Sequence, residues 1–469
     1  MMSKHLSLLS GPLAFAAALL FLQSVFTFKA AAALATAIWM ALWWIFRPCS
    51  IYVTSFVPIV VNSFFDLIPG THVLSQYFSE IAVLLLGSDL ICQTWTTTKL
   101  DQRISVKALC FIGTSMKNQV FVWFLASTIL SVFLPNVVVA SIFCPIAISM
   151  LKFVGETDIE QSKTAIPILL AIGWGSGIGG LGSPIGSSAN LVAISYFEKL
   201  SGQEFMYYDW VIRFLPVLSV IFVVNLIFLW LLPVPVKYLA GTKDYFLSMY
   251  ASFGNMKRGE KIGLFLFVLS TSLAFIRPLF ATLLPAMKPA YIFFFCGLLM
   301  FFLKDENGKV MLTWKYAESH VMWGMIFLFA SGLALGRLVI ETEAVKQMAA
   351  LISHYPLHDG IFLMGAFCLF SVCMTELSSN TAAVSISIPV TLGITEALGI
   401  SPFPYLLAAV VSSCCAYVLP VSTRAIPVGY GLNAAAQMRE GLKLTVITWC
   451  TVTCTCFFCM KFFPLFNGW

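Results

Sequence analysis

The chain has 469 residues, of which 59% are apolar and 10% charged. Soluble domains run near 45–50% apolar and about 25% charged, so a soluble enzyme, a disordered chain and a secreted disulfide scaffold are excluded. The formal charge of +6 comes from 27 basic and 21 acidic residues, too diffuse for a nucleic-acid partner, and what remains is an all-α polytopic membrane protein.

A bilayer span takes about 20 apolar residues. Runs at 8–25, 29–46, 50–68 and 78–98 predict four spans. A retained first helix is expected rather than a cleaved signal peptide, because the second run follows almost directly. Residues 118–152 form a longer run with a polar tip at Pro135-Asn136, and 164–197 a run broken by Gly, Pro and Ser. Spans at 208–232, 259–282, 287–303 and 320–340 follow. A second long run, 359–398, carries Ser378-Ser379-Asn380-Thr381 at its centre; a second broken run covers 402–433, and 441–464 is the last span. Read as two re-entrant hairpins, the long runs bring the tally to eleven spans and two hairpins. Irregular backbone at membrane depth survives only where protein or a water-filled cavity covers it.

Basic residues collect on the cytoplasmic side of membrane proteins. With the N-terminus inside, 18 of the 27 fall on inner loops, seven on outer loops, and Arg337 and Arg424 within spans. The expected topology is N-terminus cytoplasmic and C-terminus extracytoplasmic, in the plasma membrane.

The chain also repeats itself. At an offset of 244, Asn136 falls on Asn380 and Pro145 on Pro389. At 236, Gly182-Ser183-Pro184-Ile185-Gly186-Ser187 falls on Val418-Leu419-Pro420-Val421-Ser422-Thr423. One hairpin opens from each side, so the repeats are inverted, as in secondary transporters whose site lies between the halves.

Paired Asn and hydroxyl groups at a helix break suit a carboxylate through their donors and the positive end of the half-helix. They suit Na⁺ through oxygens. An isolated Ser or Thr in a span usually serves helix packing; two repeat-related clusters at helix breaks point to a site. Charges within spans are costly and need partners. Arg424, in the second broken loop, is expected to face the cavity, with Glu376 pairing Arg424 or Arg337. Arg337, near the outer end of its span, can equally snorkel to the outer surface, and Asp89 is expected to be hydrated or paired in its bundle. Gly177-Ile178-Gly179-Gly180-Leu181-Gly182 matches a dinucleotide fingerprint but lies inside a membrane run without a strand before it. Cys456 and Cys459, one CxxC among 13 cysteines, sit in an apolar segment and read as helix residues. His5, His72, His320, His354 and His358 lack zinc spacing.

Thr375-Glu376-Leu377-Ser378-Ser379-Asn380-Thr381-Ala382-Ala383 resembles the Ser-Asn-Thr signature of the divalent anion:sodium symporter superfamily, the INDY-type dicarboxylate and citrate carriers. The resemblance implies a homodimer whose protomers hold a scaffold and a mobile transport domain that moves as an elevator. It places scaffold helices at 1–117 and 259–358, transport halves at 118–233 and 359–469, and a cytoplasmic linker at 234–258. It implies substrate contacts from Asn136, Val137, Gly182, Ser183, Pro184, Ser187, Ser379, Asn380, Thr381, Pro420, Ser422 and Thr423. Ser131, Thr375, Ser378, Glu376 and Arg424 would hold ions or compensate charge.

Three departures bear on coupling. The first tip reads Pro135-Asn136-Val137, losing two hydroxyls. The first broken loop, Gly186-Ser187-Ser188-Ala189-Asn190, keeps its asparagine, whereas the second, Ser422-Thr423-Arg424-Ala425-Ile426, lacks it and gains a cation. The expectation is therefore a transporter of small di- and tricarboxylates (the succinate, 2-oxoglutarate, malate and citrate class) working by sodium-independent anion exchange, with Arg424 replacing part of the sodium charge and no metal or cofactor. The alternatives are a sodium-coupled symporter of the same family, which would bind Na⁺, and an integral-membrane enzyme, for which no Asp, His or Glu cluster is present. A channel fits paired inverted breaks less well.

Overall fold

The computed structural model describes residues 4–46, 48–344, 347, 359–420 and 422–468. His354, His358 and Val421, named above, lie outside them, as do Arg47 and Lys346, counted above among the inner and outer basic residues respectively. Every regular element among the described residues is helical. Among the described residues, seven helices are long and apolar enough to cross a membrane by length and composition, and six more apolar helices are shorter. The chain is an all-α polytopic membrane protein.

Both long runs fold as helix pairs joined at their polar tips. The first hairpin pairs Met116–Phe133 with Asn136–Phe153, and the second pairs Ile361–Leu377 with Asn380–Ala397. Pro135 and Ser379 stand at the N-caps of the second arms, where a proline's missing N–H costs nothing. Pro145 and Pro389 lie inside those arms at equivalent positions.

Both broken runs are broken. Ala165–Gly179 continues into a tight turn, Gly180–Gly182, passes through a loop and resumes as Ser188–Ser201. Phe403–Ser413 ends in irregular backbone over 414–420, and a turn at Ser422–Arg424 leads into the short helix Ala425–Gly429. Each hairpin's first arm packs along the broken span of its own repeat. In the first repeat the approach is backbone to backbone: a Cβ on Gly175 would lie 2.8 Å from the Phe124 carbonyl oxygen, and one on Gly179 would overlap the Thr128 backbone. Small residues spaced by four allow that approach between membrane helices. This is the structural content of the glycine run that mimics a dinucleotide motif.

Some predicted spans are divided. The run 50–68 holds Ile51–Thr54 and Val57–Phe65, separated where Pro58 opens the second helix and closed by Asp66 in a left-handed conformation. The run 287–303 contains the helix Pro289–Leu299, whose 11 residues rise only about 16 Å, short of the roughly 30 Å hydrocarbon layer. It crosses Glu80–Thr98 closely, with a Cβ on Gly297 falling 2.9 Å from the Gly87 carbonyl.

Candidate functional site

The two hairpin tips and the two broken loops border one cavity of about 590 Å³, within the range of small-molecule sites. Its other wall comes from Glu80–Thr98 and from the start of Trp323–Glu341. Four helices begin at this cavity: Asn136–Phe153, Ser188–Ser201, Asn380–Ala397 and Trp323–Glu341. Helix N-termini carry partial positive charge and unpaired N–H groups, so their convergence favours an anion. Among the described lining residues there is no Lys, Arg or His.

Each tip is built around an asparagine held from behind. Ser131 Oγ lies 3.0 Å from Asn136 Oδ1 and 2.8 Å from the Ser176 carbonyl oxygen. Thr375 Oγ1 lies 3.0 Å from Asn380 Oδ1 and 2.7 Å from the Ser413 carbonyl oxygen. Each hydroxyl has a single proton to offer two acceptors. The result is a pair of repeat-related clusters of three oxygens, the ligand chemistry of a hard cation. Asn136 Nδ2 donates to the Gly177 carbonyl at 3.3 Å. Gly180 leaves room for this side chain, which a Cβ there would strike.

The broken loops are tied down differently. In the first, Asn190 Nδ2 donates to the carbonyls of Gly180 at 2.7 Å and Ser183 at 2.8 Å, and Ser183 Oγ donates to the Val132 carbonyl. In the second, the Glu376 carboxylate accepts from the backbone N–H groups of Tyr417 (2.6 Å), Val418 (3.1 Å) and Leu419 (3.1 Å). Arg424 closes that arrangement, with Nη1 at 2.6 Å from Glu376 Oε2 and Nη2 donating to the Thr375 carbonyl at 2.9 Å. The pair is buried, Arg424 at 4% and Glu376 at 9% exposure.

Of the residues expected to touch substrate, Asn136, Val137, Ser187, Ser379, Asn380, Thr381, Ser422 and Thr423 line the cavity. Gly182, Ser183, Pro184 and Pro420 do not; they shape the loops behind it. Ser131 and Thr375 stand behind the asparagines, and Ser378 Oγ donates back to the Met374 carbonyl of its own helix at 2.6 Å. Arg424 is the main correction: it is directed at Glu376 and is absent from the lining, because a carboxylate one turn from the tip offers a better partner than a solvated cavity. Arg337 pairs with Glu341 four residues on, at 2.8 Å, instead of with Glu376.

Ser188, Asp89 and the segment Met322–Ile326 also line the cavity and were not singled out as binding residues in the sequence. Ser188 Oγ lies 2.6 Å from Thr381 Oγ1, linking the first broken loop to the second tip. The repeat offsets carried the signal for Ser188, since at 236 it falls on Arg424. Among the described residues no group of three or more His, Cys, Asp or Glu side chains is placed to hold a metal, and all 13 cysteines are free.

A family model described as "Citrate transporter" matches residues 41–411 and 308–466. The chain is 26% identical over 452 residues to the sodium-dependent dicarboxylate transporter SdcS of Staphylococcus saprophyticus, covering 92% of this chain and 86% of that protein. It is 27% identical over 454 residues to the SdcS protein of Staphylococcus aureus, covering 93% and 87%. In fold it is similar to the YdaH transporter of Alcanivorax borkumensis, with a TM-score of 0.56 and 13% identity, over 87% of this chain and 90% of that one.

Proposed function

The chain belongs to the citrate transporter family, a transporter and not an enzyme, and from that premise we propose that it carries small dicarboxylates across the membrane coupled to sodium. The observation that carries the proposal is the site's charge balance. Two asparagine tips and four helix N-termini meet at a cavity with no described Lys, Arg or His on its wall. A dianion there needs positive charge from elsewhere. The two three-oxygen clusters behind the tips supply a place for it, one cation each beside a carboxylate held by the asparagine amides and hydroxyls.

The exchanger expectation rested on Arg424 as a built-in positive charge. With Glu376 at 2.6 Å that charge is neutralised inside the protein, and its support is gone. The printed names of the staphylococcal relatives, which call those proteins sodium-dependent, favour the same reading.

The repeats suggest alternating access. We assign the hairpins, the broken spans, Tyr207–Leu231 and Ala434–Phe462 to a mobile domain. Residues 1–117 and 259–358 form the scaffold and dimer interface, with 234–258 as a cytoplasmic linker. In this arrangement the mobile domain moves as an elevator in the plasma membrane, N-terminus inside and C-terminus outside.

Uptake of labelled succinate into proteoliposomes tests the coupling. Uptake driven by an inward sodium gradient into anion-free vesicles is the expected result. Uptake that ignores sodium and requires an internal carboxylate would restore the exchanger.

A further inference from the structure

We propose that Asp89 sets the charge limit of this cavity, admitting dicarboxylates and disfavouring a third carboxylate; the proposal rests on the carboxylate-transport reading above. Asp89 projects from Glu80–Thr98 and lines the same cavity as Asn136 and Asn380. It is the charged residue among the described lining residues.

Its partners are few and neutral. Oδ2 accepts from the Met322 N–H at 2.9 Å, and Oδ1 lies 3.4 Å from Gln93 Nε2, which also donates to the His320 carbonyl at 2.8 Å. None of the ion pairs between described residues includes it. A carboxylate has about four acceptor positions, so capacity remains unused. Its charge is offset by the N-terminal end of Trp323–Glu341, the helix whose N-cap residue, Met322, donates to it.

The wall is therefore polarised. The tips present amide and hydroxyl groups and helix N-termini; the Asp89 side presents a carboxylate. Two substrate carboxylates satisfy the tips. A third, carried toward the opposite wall, meets a like charge in a poorly screened space, and no described cation stands there to relieve it.

Uptake of labelled succinate and labelled citrate by wild type, Asp89→Asn and Asp89→Glu, at about pH 7.5 where carboxylates are ionised, tests this in proteoliposomes. Asparagine keeps an oxygen to cap Met322 and removes the charge. The citrate-to-succinate ratio is expected to rise about tenfold in Asp89→Asn and to stay at the wild-type value in Asp89→Glu. A ratio in Asp89→Asn within about twofold of wild type overturns the proposal.

A measurement on wild type alone covers the case of a variant that does not fold. Inhibition of succinate uptake by tricarballylate is compared with that by its monomethyl ester, which is bulkier but carries one charge fewer. Stronger inhibition by the ester supports the charge limit, and equal or weaker inhibition overturns it. Wild type that moves neither succinate nor citrate counts against the carboxylate reading itself, so the two failures are distinct.

Discussion

The two halves of this protein present the same asparagine at the same kind of helix break and secure the loop beside it by opposite means. In the first half, Asn190 donates to loop carbonyls, a neutral staple. In the second, Glu376 accepts from three consecutive loop N–H groups and is charge-balanced by Arg424. A loop whose carbonyls face inward needs a donor; one whose N–H groups face inward needs an acceptor, and an ionised acceptor then needs a cation. Arg424 follows from Glu376, which follows from the direction of the backbone. A charge in a membrane segment can thus belong to the architecture although it lies one residue from Thr423 on the cavity wall.

The strongest break of this comparison is Arg424→Ala. Removing one partner from a buried pair leaves an uncompensated charge and costs about 3–5 kcal/mol, so thermal unfolding in detergent should show a large loss. The double variant Arg424→Gln with Glu376→Gln should recover part of it. An Arg424→Ala protein of wild-type stability but weaker substrate affinity would return Arg424 to the site.

Next in size are Asn136→Ala and Asn380→Ala, each removing an oxygen from a proposed cation cluster and an amide from the proposed anion site. Hydrogen bonds to charged groups are worth about 1.5–3 kcal/mol. Each variant should therefore lose at least about tenfold in sodium-driven uptake while remaining folded by size-exclusion chromatography. Equal losses would mark the tips as equivalent, and unequal ones would rank them.

Asn190→Ala should cost about 1–3 kcal/mol of stability by removing the two hydrogen bonds its amide gives to buried loop carbonyls, less than Arg424→Ala in the same unfolding assay. That ordering measures the two staples against each other. The smallest effect is expected from Val137→Thr, which gives the first tip the hydroxyl that Thr381 supplies in the second. A tighter apparent affinity for succinate, by several-fold for about 1 kcal/mol, is the expected reading in concentration-dependent uptake.

The tips were legible in the sequence because a polar pair in the middle of a 35-residue apolar run is a local signal, and its recurrence at an offset of 244 supplies a second one. The broken spans were legible from Gly, Pro and Ser for the same reason. Helix ends were less so: 50–68 and 287–303 look continuous in hydropathy, yet the chain turns within them. The glycine run at 177–182 shows how a pattern acquires meaning from its neighbours. Its residues make room for Thr128, Val132 and Asn136 rather than for a phosphate.

Composition, apolar run lengths and the internal repeat determined by themselves that this is a helical membrane protein with two related halves, because burial in lipid and backbone satisfaction act on each segment locally. Which charge meets which was decided only by the tertiary structure. Arg424 had Glu376 and an open cavity within reach of any reading of the sequence, and the packed loop gave it Glu376. Asp89 lies 233 residues from Met322, a separation across which no local rule operates. A buried charge takes the partner that packing brings to it, and packing is a property of the whole chain.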